Sequence, residues 1–244
     1  TAQRLSTIVD DQPTECIDAL RPHLTKLRRL GCDEAKHPWL FENWQIVDLT
    51  GALLALRRTK DPDEIELIKV AIAGAQAVYQ HAREHVEPGL TELELYAQLQ
   101  AAAVQAVGEP ITEFGNDFQC NSAGGPPRHR PMQQGEMVIY DISVVVRAYG
   151  SDLCRTFVVG AEPTDAQAGA HRRVIEALAH VESTVRPGVS CKRFFNEVSE
   201  MLEEGNRWTF GHHLGHGIGL SAHEAPRLNP HWDDTFQIGD VFTA

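Results

Sequence analysis

The sequence feature that most constrains this chain is a run rich in glycine and histidine at residues 210–226. Four of the twelve histidines of the chain lie in it: His212, His213, His216 and His223. Glycines on both sides of His216 let neighbouring backbone or a ligand approach closely. Imidazole is the commonest metal ligand and also carries protons near neutral pH. The run therefore predicts a site for metal binding or proton transfer where backbone segments pack closely. The alternative is a glycine-rich surface turn whose histidines cluster by chance.

A second region, far upstream, supplies two aspartates. Two β-branched runs, 137–146 and 153–159, are separated by residues 147–151, and this pattern predicts a β-hairpin. Asp141 lies inside the first run and Asp152 precedes the second, at a spacing that allows a directly opposed pair on one face of the hairpin. Two such carboxylates repel each other unless a proton or a cation lies between them, and a divalent metal with oxygen and imidazole ligands suits the position. The alternative is that Asp152 only caps a turn and Asp141 is half exposed.

The helices show a repeated plan. Helix starts are predicted at Asp61, Thr91, Thr164 and near Ser190, because cap residues there precede apolar positions at helical spacing. Pro-Gly pairs at 88–89 and 187–188 end one helix of each pair, at an offset of 99 residues. This order of helix, stop, cap and helix predicts an α+β domain of two similar halves. Chance similarity between two helix-turn-helix units is the alternative.

Composition excludes several classes of protein. The formal charge of −12 argues against a nucleic acid or an anionic membrane as partner. No apolar run is long enough to span a membrane, and the first residues resemble no signal peptide. The five cysteines are scattered and odd in number, which favours reduced thiols and a cytoplasmic location.

The domain organisation predicted from the sequence has two parts. Residues 1–55 are interpreted as a remnant N-terminal domain, with helical spacing from Cys16 to Leu30 and a short strand from Trp44. Residues 56–244 are interpreted as the main domain, C-terminally incomplete because the chain ends within a strand-like apolar run.

Three motifs together resemble a known family. They are the run 135–141 ending in Asp141, the run 150–157 containing Asp152, and the run 215–226 containing His216 and His223. In this order they resemble the motifs of the pita-bread metallopeptidases, which include prolidases, aminopeptidase P, methionine aminopeptidases and the related creatinase. The resemblance covers about residues 52–244. It implies the pita-bread fold, a curved antiparallel sheet with helices in two pseudo-symmetric halves.

The resemblance also implies a function. Asp141, Asp152 and His216 match metal ligands of a site that holds two divalent ions, manganese, cobalt or zinc. His212 and His223 match histidines that handle the substrate and the tetrahedral intermediate. The His-Glu-Ala-Pro motif from His223 to Pro226 favours hydrolysis of Xaa-Pro bonds in short proline-containing peptides, by a dipeptidase or an aminopeptidase. The oligomeric state, including a homodimer, stays open.

The sequence departs from the family pattern in two places. The two glutamate ligands of the family would follow Ala244, so the chain as printed is expected to bind at most one metal ion and to be inactive as a peptidase. A further family histidine would fall near Gly124, and His129 is not assigned that role. Glu224 is expected to make a structural hydrogen bond. Two alternatives stay open: an inactive pita-bread domain that binds partners, and a metal-free amidinohydrolase like creatinase.

Overall fold

The computed structural model describes residues 12–33, 44–203 and 210–244. The chain divides into two compact units, Thr1–Leu56 and Arg57–Ala244. The interpretation of the first segment as a remnant domain and of the second as an incomplete catalytic domain stays a prediction.

The first unit contains helix α1 (Gln12–Leu24) and strands β1 (Arg29–Cys32) and β2 (Gln45–Asp48), which pair in parallel. The helical spacing predicted from Cys16 to Leu30 is therefore wrong at its end, because Leu30 lies in β1 opposite Ile46. Helix α2 (Thr50–Arg58) follows.

The second unit contains two pairs of helices. The first pair is α3 (Pro62–His85) and α4 (Glu92–Val107), and the second is α5 (Asp165–Thr184) and α6 (Cys191–Glu203). The predicted caps are present at α4 and α5: the hydroxyls of Thr91 and Thr164 accept backbone N–H groups from Glu94 and Gln167. These bonds satisfy donors that a helix start otherwise leaves open.

The strands of the second unit pair in antiparallel fashion. Strand β3 (Met137–Ile142) pairs with β6 (Leu153–Val158), and β4 (Val145–Val146) pairs with β5 (Tyr149–Gly150). Arg147 and Ala148 join β4 to β5 with positive φ at both residues, the conformation of a tight hairpin turn. Strand β7 (Gly215–Gly217) lies between β8 (Glu224–Leu228) and β9 (Phe242–Thr243).

The repeat predicted from the sequence appears in matching hydrogen bonds. Gly89 N–H donates to the Met132 carbonyl at 2.9 Å, and Gly188 N–H donates to the Phe236 carbonyl at 2.8 Å. The turns that follow also match, because in each one a glycine with positive φ, Gly135 or Gly239, precedes an acidic residue. The two halves of the second unit are therefore built on one plan.

Each half has its own apolar cluster. In the first half, helices α3 and α4 pack against the β3–β6 hairpin around Tyr140, Phe118, Leu95 and Leu99, all at most 1% exposed. In the second half, α5 and α6 pack around Phe194, Val198 and Leu228. None of the helices in the described part of the chain is both long and apolar enough to cross a membrane.

Candidate metal centre

The β3–β6 hairpin places Asp141 and Asp152 on one face. Val138, Tyr140 and Ile142 alternate with Asp141 along β3 and are buried in the core, so Asp141 lies on the opposite face. The predicted direct opposition of the two aspartates is wrong. Asp141 pairs with Cys154, and Asp152 lies two residues before that partner. The two aspartates are therefore diagonal neighbours on one face, because the turn is centred on residues 147 and 148, one residue further along the chain than direct opposition requires.

His216 is the central residue of β7 and is 4% exposed. It faces Arg227 on β8 and Thr243 on β9. A Cβ on Gly215 would lie 2.0 Å from the Thr243 carbonyl oxygen, and one on Gly217 would lie 2.0 Å from the Ala225 carbonyl oxygen. Both glycines are required by this close approach of backbone, which fixes the chain on either side of His216.

His216 and Asp152 are in contact. His216 Nε2 lies 3.1 Å from Asp152 Oδ2, and the Asp152 side chain is 23% exposed. The Thr243 hydroxyl, beside His216 in the sheet, donates to the Asp152 carbonyl at 3.0 Å. Strand β9 thus ties the aspartate segment to the histidine strand, and residues 91 positions apart in the sequence meet through it.

The hydrogen bonding of His216 leaves Nε2 suited to a cation. Nδ1 lies 3.0 Å from the Gly217 carbonyl oxygen, which can only accept, so Nδ1 carries the proton of that bond. In the neutral ring Nε2 then presents a lone pair towards a carboxylate oxygen, and two acceptors at 3.1 Å require a proton or a metal ion. Metal-binding histidines commonly donate their second nitrogen to a carbonyl in this way.

Asp141 lies in an anionic environment. Burial, together with the negative charges of Asp152 and Asp117, raises the pKa of Asp141 to about 6. Asp117 reaches this position because its carbonyl accepts the Asp141 N–H at 3.1 Å. The Asp117 carboxylate itself accepts the Gly125 N–H, so it also holds the loop that follows. Carboxylates placed together in this way suit a cation.

The other histidines surround His216. The rings of His216 and His223 lie 3.9 Å apart between centroids, and the His213 and His216 rings lie 5.1 Å apart. Nitrogens of His213, His216 and His223 all fall within 4.8 Å of one another; this set does not include Asp141. The His212 ring lies beside the His213 ring at a tilt, with centroids 4.0 Å apart. The structure therefore brings all four histidines of the run together.

Two of these histidines have a lowered pKa. Burial, helped by the nearby His212 and His216 rings, lowers the pKa of His213 to about 4. Burial and His216 also lower the pKa of His223. Both rings are therefore neutral near pH 7, the form in which imidazole binds a metal or donates a single N–H. The buried Nδ1 of His213 has no hydrogen-bond partner, so it is a further nitrogen available to a ligand.

Glu224 follows His223 but is not available as a ligand. Its Oε2 accepts from Lys60 Nζ at 2.7 Å, and its Oε1 accepts from the Ser221 N–H at 3.1 Å. Both oxygens are occupied by structural contacts, as the sequence analysis expected of a hydrogen-bonding role.

Sequence reasoning missed four contributors to this site. It named His213 only as a member of the histidine run, and it gave no part to Asp117, Thr243 or Lys60. Lys60 lies near the start of the region, about residues 52–244, that resembles the family, so its position carried a signal. Asp117 and Thr243 carried none, because their roles depend on strand pairings far apart in the sequence.

Comparison with known proteins identifies the class. The family model of metallopeptidase family M24 matches residues 66–244, and the chain belongs to this family. Membership implies divalent metal ions, and the donor set around Asp152 and His216 fits such an ion. The predicted family resemblance is thereby confirmed.

Individual relatives include peptidases of named activity. An Xaa-Pro dipeptidase of Pyrococcus furiosus is 29% identical over 192 residues, which cover 77% of this chain and 55% of that protein. An uncharacterised peptidase of Staphylococcus epidermidis is 29% identical over 228 residues, covering 91% of this chain and 62% of that protein. The chain spans little more than half the length of these curated relatives.

Solved structures share the fold. The prolidase from Pyrococcus furiosus superimposes with a TM-score of 0.77 at 25% identity, covering 88% of this chain and 66% of that one. The X-Pro aminopeptidase from Thermotoga maritima gives a TM-score of 0.81 at 24% identity, covering 93% and 68%. The predicted pita-bread fold is confirmed.

Proposed function

We propose that this chain is the catalytic region of a metal-dependent peptidase that hydrolyses Xaa-Pro bonds in short peptides. The observation that carries the proposal is the 3.1 Å approach of His216 Nε2 to Asp152 Oδ2, with Nδ1 of the same ring directed at a carbonyl. The relatives named as Xaa-Pro dipeptidases support the choice of bond.

The proposed metal ligands are Asp141, Asp152 and His216. Oxygen and imidazole donors together accept manganese, cobalt or zinc. The two aspartates carry two negative charges beside a neutral imidazole, which balances one divalent ion. A second ion close by would need further carboxylates, since two dications repel strongly at short separation. When bound, such ions polarise a scissile carbonyl and lower the pKa of water.

The proposed work of the remaining histidines follows from their protonation. His223 is neutral near pH 7 because its pKa is lowered, so it can donate one N–H to a substrate oxygen as negative charge develops there. His212 lies on the open side of the cluster and is exposed, which suits contact with a bound peptide. We also propose a cytoplasmic location, because all five cysteines are unpaired.

The first test measures metal binding and hydrolysis together. Calorimetric titration of the 244-residue chain with Mn²⁺ should show at most one ion per chain. The intact protein should release free proline from Xaa-Pro dipeptides with Mn²⁺ present and should lose that activity in a chelator. Assaying an Xaa-Pro-Yaa tripeptide beside the dipeptide separates an aminopeptidase from a dipeptidase.

A matched pair of variants assigns the site. Asp152→Asn removes one charge beside His216 and should weaken Mn²⁺ binding by more than about a hundredfold. Asp165→Asn, on the exposed first residue of α5, removes the same charge away from the site and should bind Mn²⁺ like the wild type. Hydrolysis that persists in a chelator, or unchanged binding by Asp152→Asn, would refute the metal site.

A further inference from the structure

One buried ion pair lies beside the histidine cluster. Lys60 Nζ donates to Glu224 Oε2 at 2.7 Å, and the two side chains are only 1% and 2% exposed. The ammonium also donates to the Arg58 carbonyl at 3.1 Å. Lys60 and Glu224 are separated by 164 positions in the sequence, so this pair joins the segment before α3 to the first residue of β8.

Glu224 connects the backbone of two histidines. It pairs with Gly217, the residue after His216, and the ladder is irregular at this step. On its other side it follows His223, whose ring lies 3.9 Å from the His216 ring. The position of Glu224 therefore sets how the His223 ring meets His216.

The pair also packs under the loop 218–223, which leads from one histidine to the other. A Cβ on Gly219 would lie 2.7 Å from Lys60 Cε and 2.8 Å from Glu224 Oε2. The second Glu224 oxygen accepts the Ser221 N–H. The loop is thus hydrogen-bonded to the Glu224 carboxylate at Ser221 and packed closely against the ion pair at Gly219. Lys60 in turn holds that carboxylate.

Stability alone gives a weak reason for such a pair. Taking two charges out of water costs about as much as their attraction returns, and an apolar pair of the same volume is often as stable. An ion pair does fix direction, because the ammonium must meet the carboxylate oxygen at hydrogen-bond distance. What this pair supplies is orientation.

We propose that Lys60 is a positioning residue, which acts through Glu224 to hold the His223 imidazole against His216. The inference rests on the proposed function in one respect, the part given to His223 in hydrolysis. The geometric half of the inference can be tested without any peptidase activity.

The test removes both charges together. In Lys60→Met/Glu224→Gln, the glutamine can still accept the Ser221 N–H, and no buried charge is left unpaired. We expect a melting temperature close to that of the wild type. In metal-free, histidine-labelled protein, the NMR signals of the His223 ring should shift and broaden, while those of the distant His171 should not move. A His223→Gln spectrum assigns the signals.

A control pair has the same chemistry on the surface. Lys69 and Glu66 on α3 also form an ion pair at 2.7 Å, but their side chains are 63% and 70% exposed. Lys69→Met/Glu66→Gln should leave the signals of every ring in the cluster unchanged. If the double variant at Lys60 and Glu224 keeps wild-type His223 signals, the positioning role is refuted.

A second variant covers failure of the first to fold. Gly219→Ala keeps both charges and pushes the new methyl group against Lys60 Cε and Glu224 Oε2. It should displace the His223 signals of the folded protein, at some cost in melting temperature, and unchanged signals would again refute the proposal.

Activity provides the last arm of the test. In the intact protein, Lys60→Met/Glu224→Gln should lower kcat for an Xaa-Pro dipeptide by up to about a hundredfold with little change in KM, because a misplaced group acts mainly on the transition state. Displaced His223 signals with wild-type kcat would refute the catalytic half of the inference. If the wild type hydrolyses no Xaa-Pro peptide, the proposed function fails, and the NMR comparison still decides the positioning role.

Discussion

The two halves of the second unit share one plan and differ in how they are held together. In the first half, the hairpin with Asp141 lies on an apolar cluster in which Phe118, Tyr140 and Leu99 are almost fully buried. In the second half, the strand with His216 is held by backbone carbonyls at van der Waals limits, and buried ion pairs lie beside it.

The difference shows how one plan can serve two purposes. An apolar cluster tolerates changes of similar volume, so the first half presents its aspartates on a robust support. Close backbone contacts and buried charges tolerate little, but they fix a side chain within narrow limits. Close backbone contact also occurs in the first half, where a Cβ on Gly115 would lie 2.0 Å from the Asp141 carbonyl oxygen. The halves therefore differ in degree, because His216 has such contact at the glycines on both of its sides.

The largest expected effect is a loss of stability, and it is measured by comparing the equivalent acidic residues of the two repeated turns. Asp240 accepts from Arg58 with both oxygens, at 2.6 and 2.8 Å, and is 3% exposed. Asp240→Asn leaves the buried Arg58 with the Asp234 carboxylate at 2.9 Å and should lower the free energy of unfolding by about 2 to 3 kcal/mol. Urea unfolding followed by circular dichroism measures it.

The matched variant in the first half is Glu136→Gln. Glu136 pairs with Arg130, whose side chain is 34% exposed and can therefore turn to water. A smaller loss of stability is expected. An equal loss in both variants would show that the two turns are held alike and would remove the contrast between the halves.

The second prediction compares glycines in strands of the two halves. In Gly217→Ala the new Cβ meets the Ala225 carbonyl at 2.0 Å, so the strands around His216 must move apart, at a cost of about 1 to 3 kcal/mol or more. In Gly150→Ala the nearest atom is 3.5 Å away, and the change should be neutral or stabilise by up to about 1 kcal/mol. Thermal unfolding of both variants, with Mn²⁺ titration of each, measures the difference. Unimpaired metal binding by Gly217→Ala would contradict it.

The third prediction concerns the helix caps, which the two halves share. Thr91→Ala and Thr164→Ala each remove one capping bond and should lower the free energy of unfolding by about 1 kcal/mol. Because Thr91 is 6% exposed and Thr164 lies at the surface, the loss should be greater for Thr91. A greater loss for Thr164 would show that burial does not govern these caps.

Much of the fold could be predicted because its signals are local. The caps at Thr91 and Thr164, the Pro-Gly stops and the alternating strand β3 depend on residues a few positions apart. The repeat was visible for the same reason, since the same short capping and stop motifs occur in each half. Strand register was not local: the tight turn at Arg147 and Ala148 moved the partner of Asp141 from Asp152 to Cys154.

The residues of the candidate site could be proposed from the sequence, but the residues that hold them in place could not. Asp141, Asp152, His216 and His223 carried chemistry in their own motifs. Thr243 carried none, because its role arises only when β9 pairs with β7. Lys60 and Glu224 are separated by most of the sequence of the domain. Only the folded chain shows which carboxylate the buried lysine pairs with.

The smallest effect expected is in the pH dependence of stability, and it separates the halves once more. The hydrogen-bonded Arg130 guanidinium holds the pKa of Glu136 below its ordinary value of 4.5. In the unfolded chain Glu136 takes up its proton near that ordinary value, so its contribution to stability is complete above it and is lost as the pH falls through the lower folded value. The free energy of unfolding should therefore fall less steeply below pH 4.5 in Glu136→Gln than in the wild type.

Glu197 on α6, in the second half, also has a lowered pKa through Arg193, but that arginine side chain is 77% exposed, so water screens the pair. Glu197→Gln should accordingly change the acid slope less than Glu136→Gln does. Urea unfolding from pH 3 to pH 6 measures all three slopes, and a greater change in Glu197→Gln would place the stronger acid-sensitive pair in the half that holds the histidines.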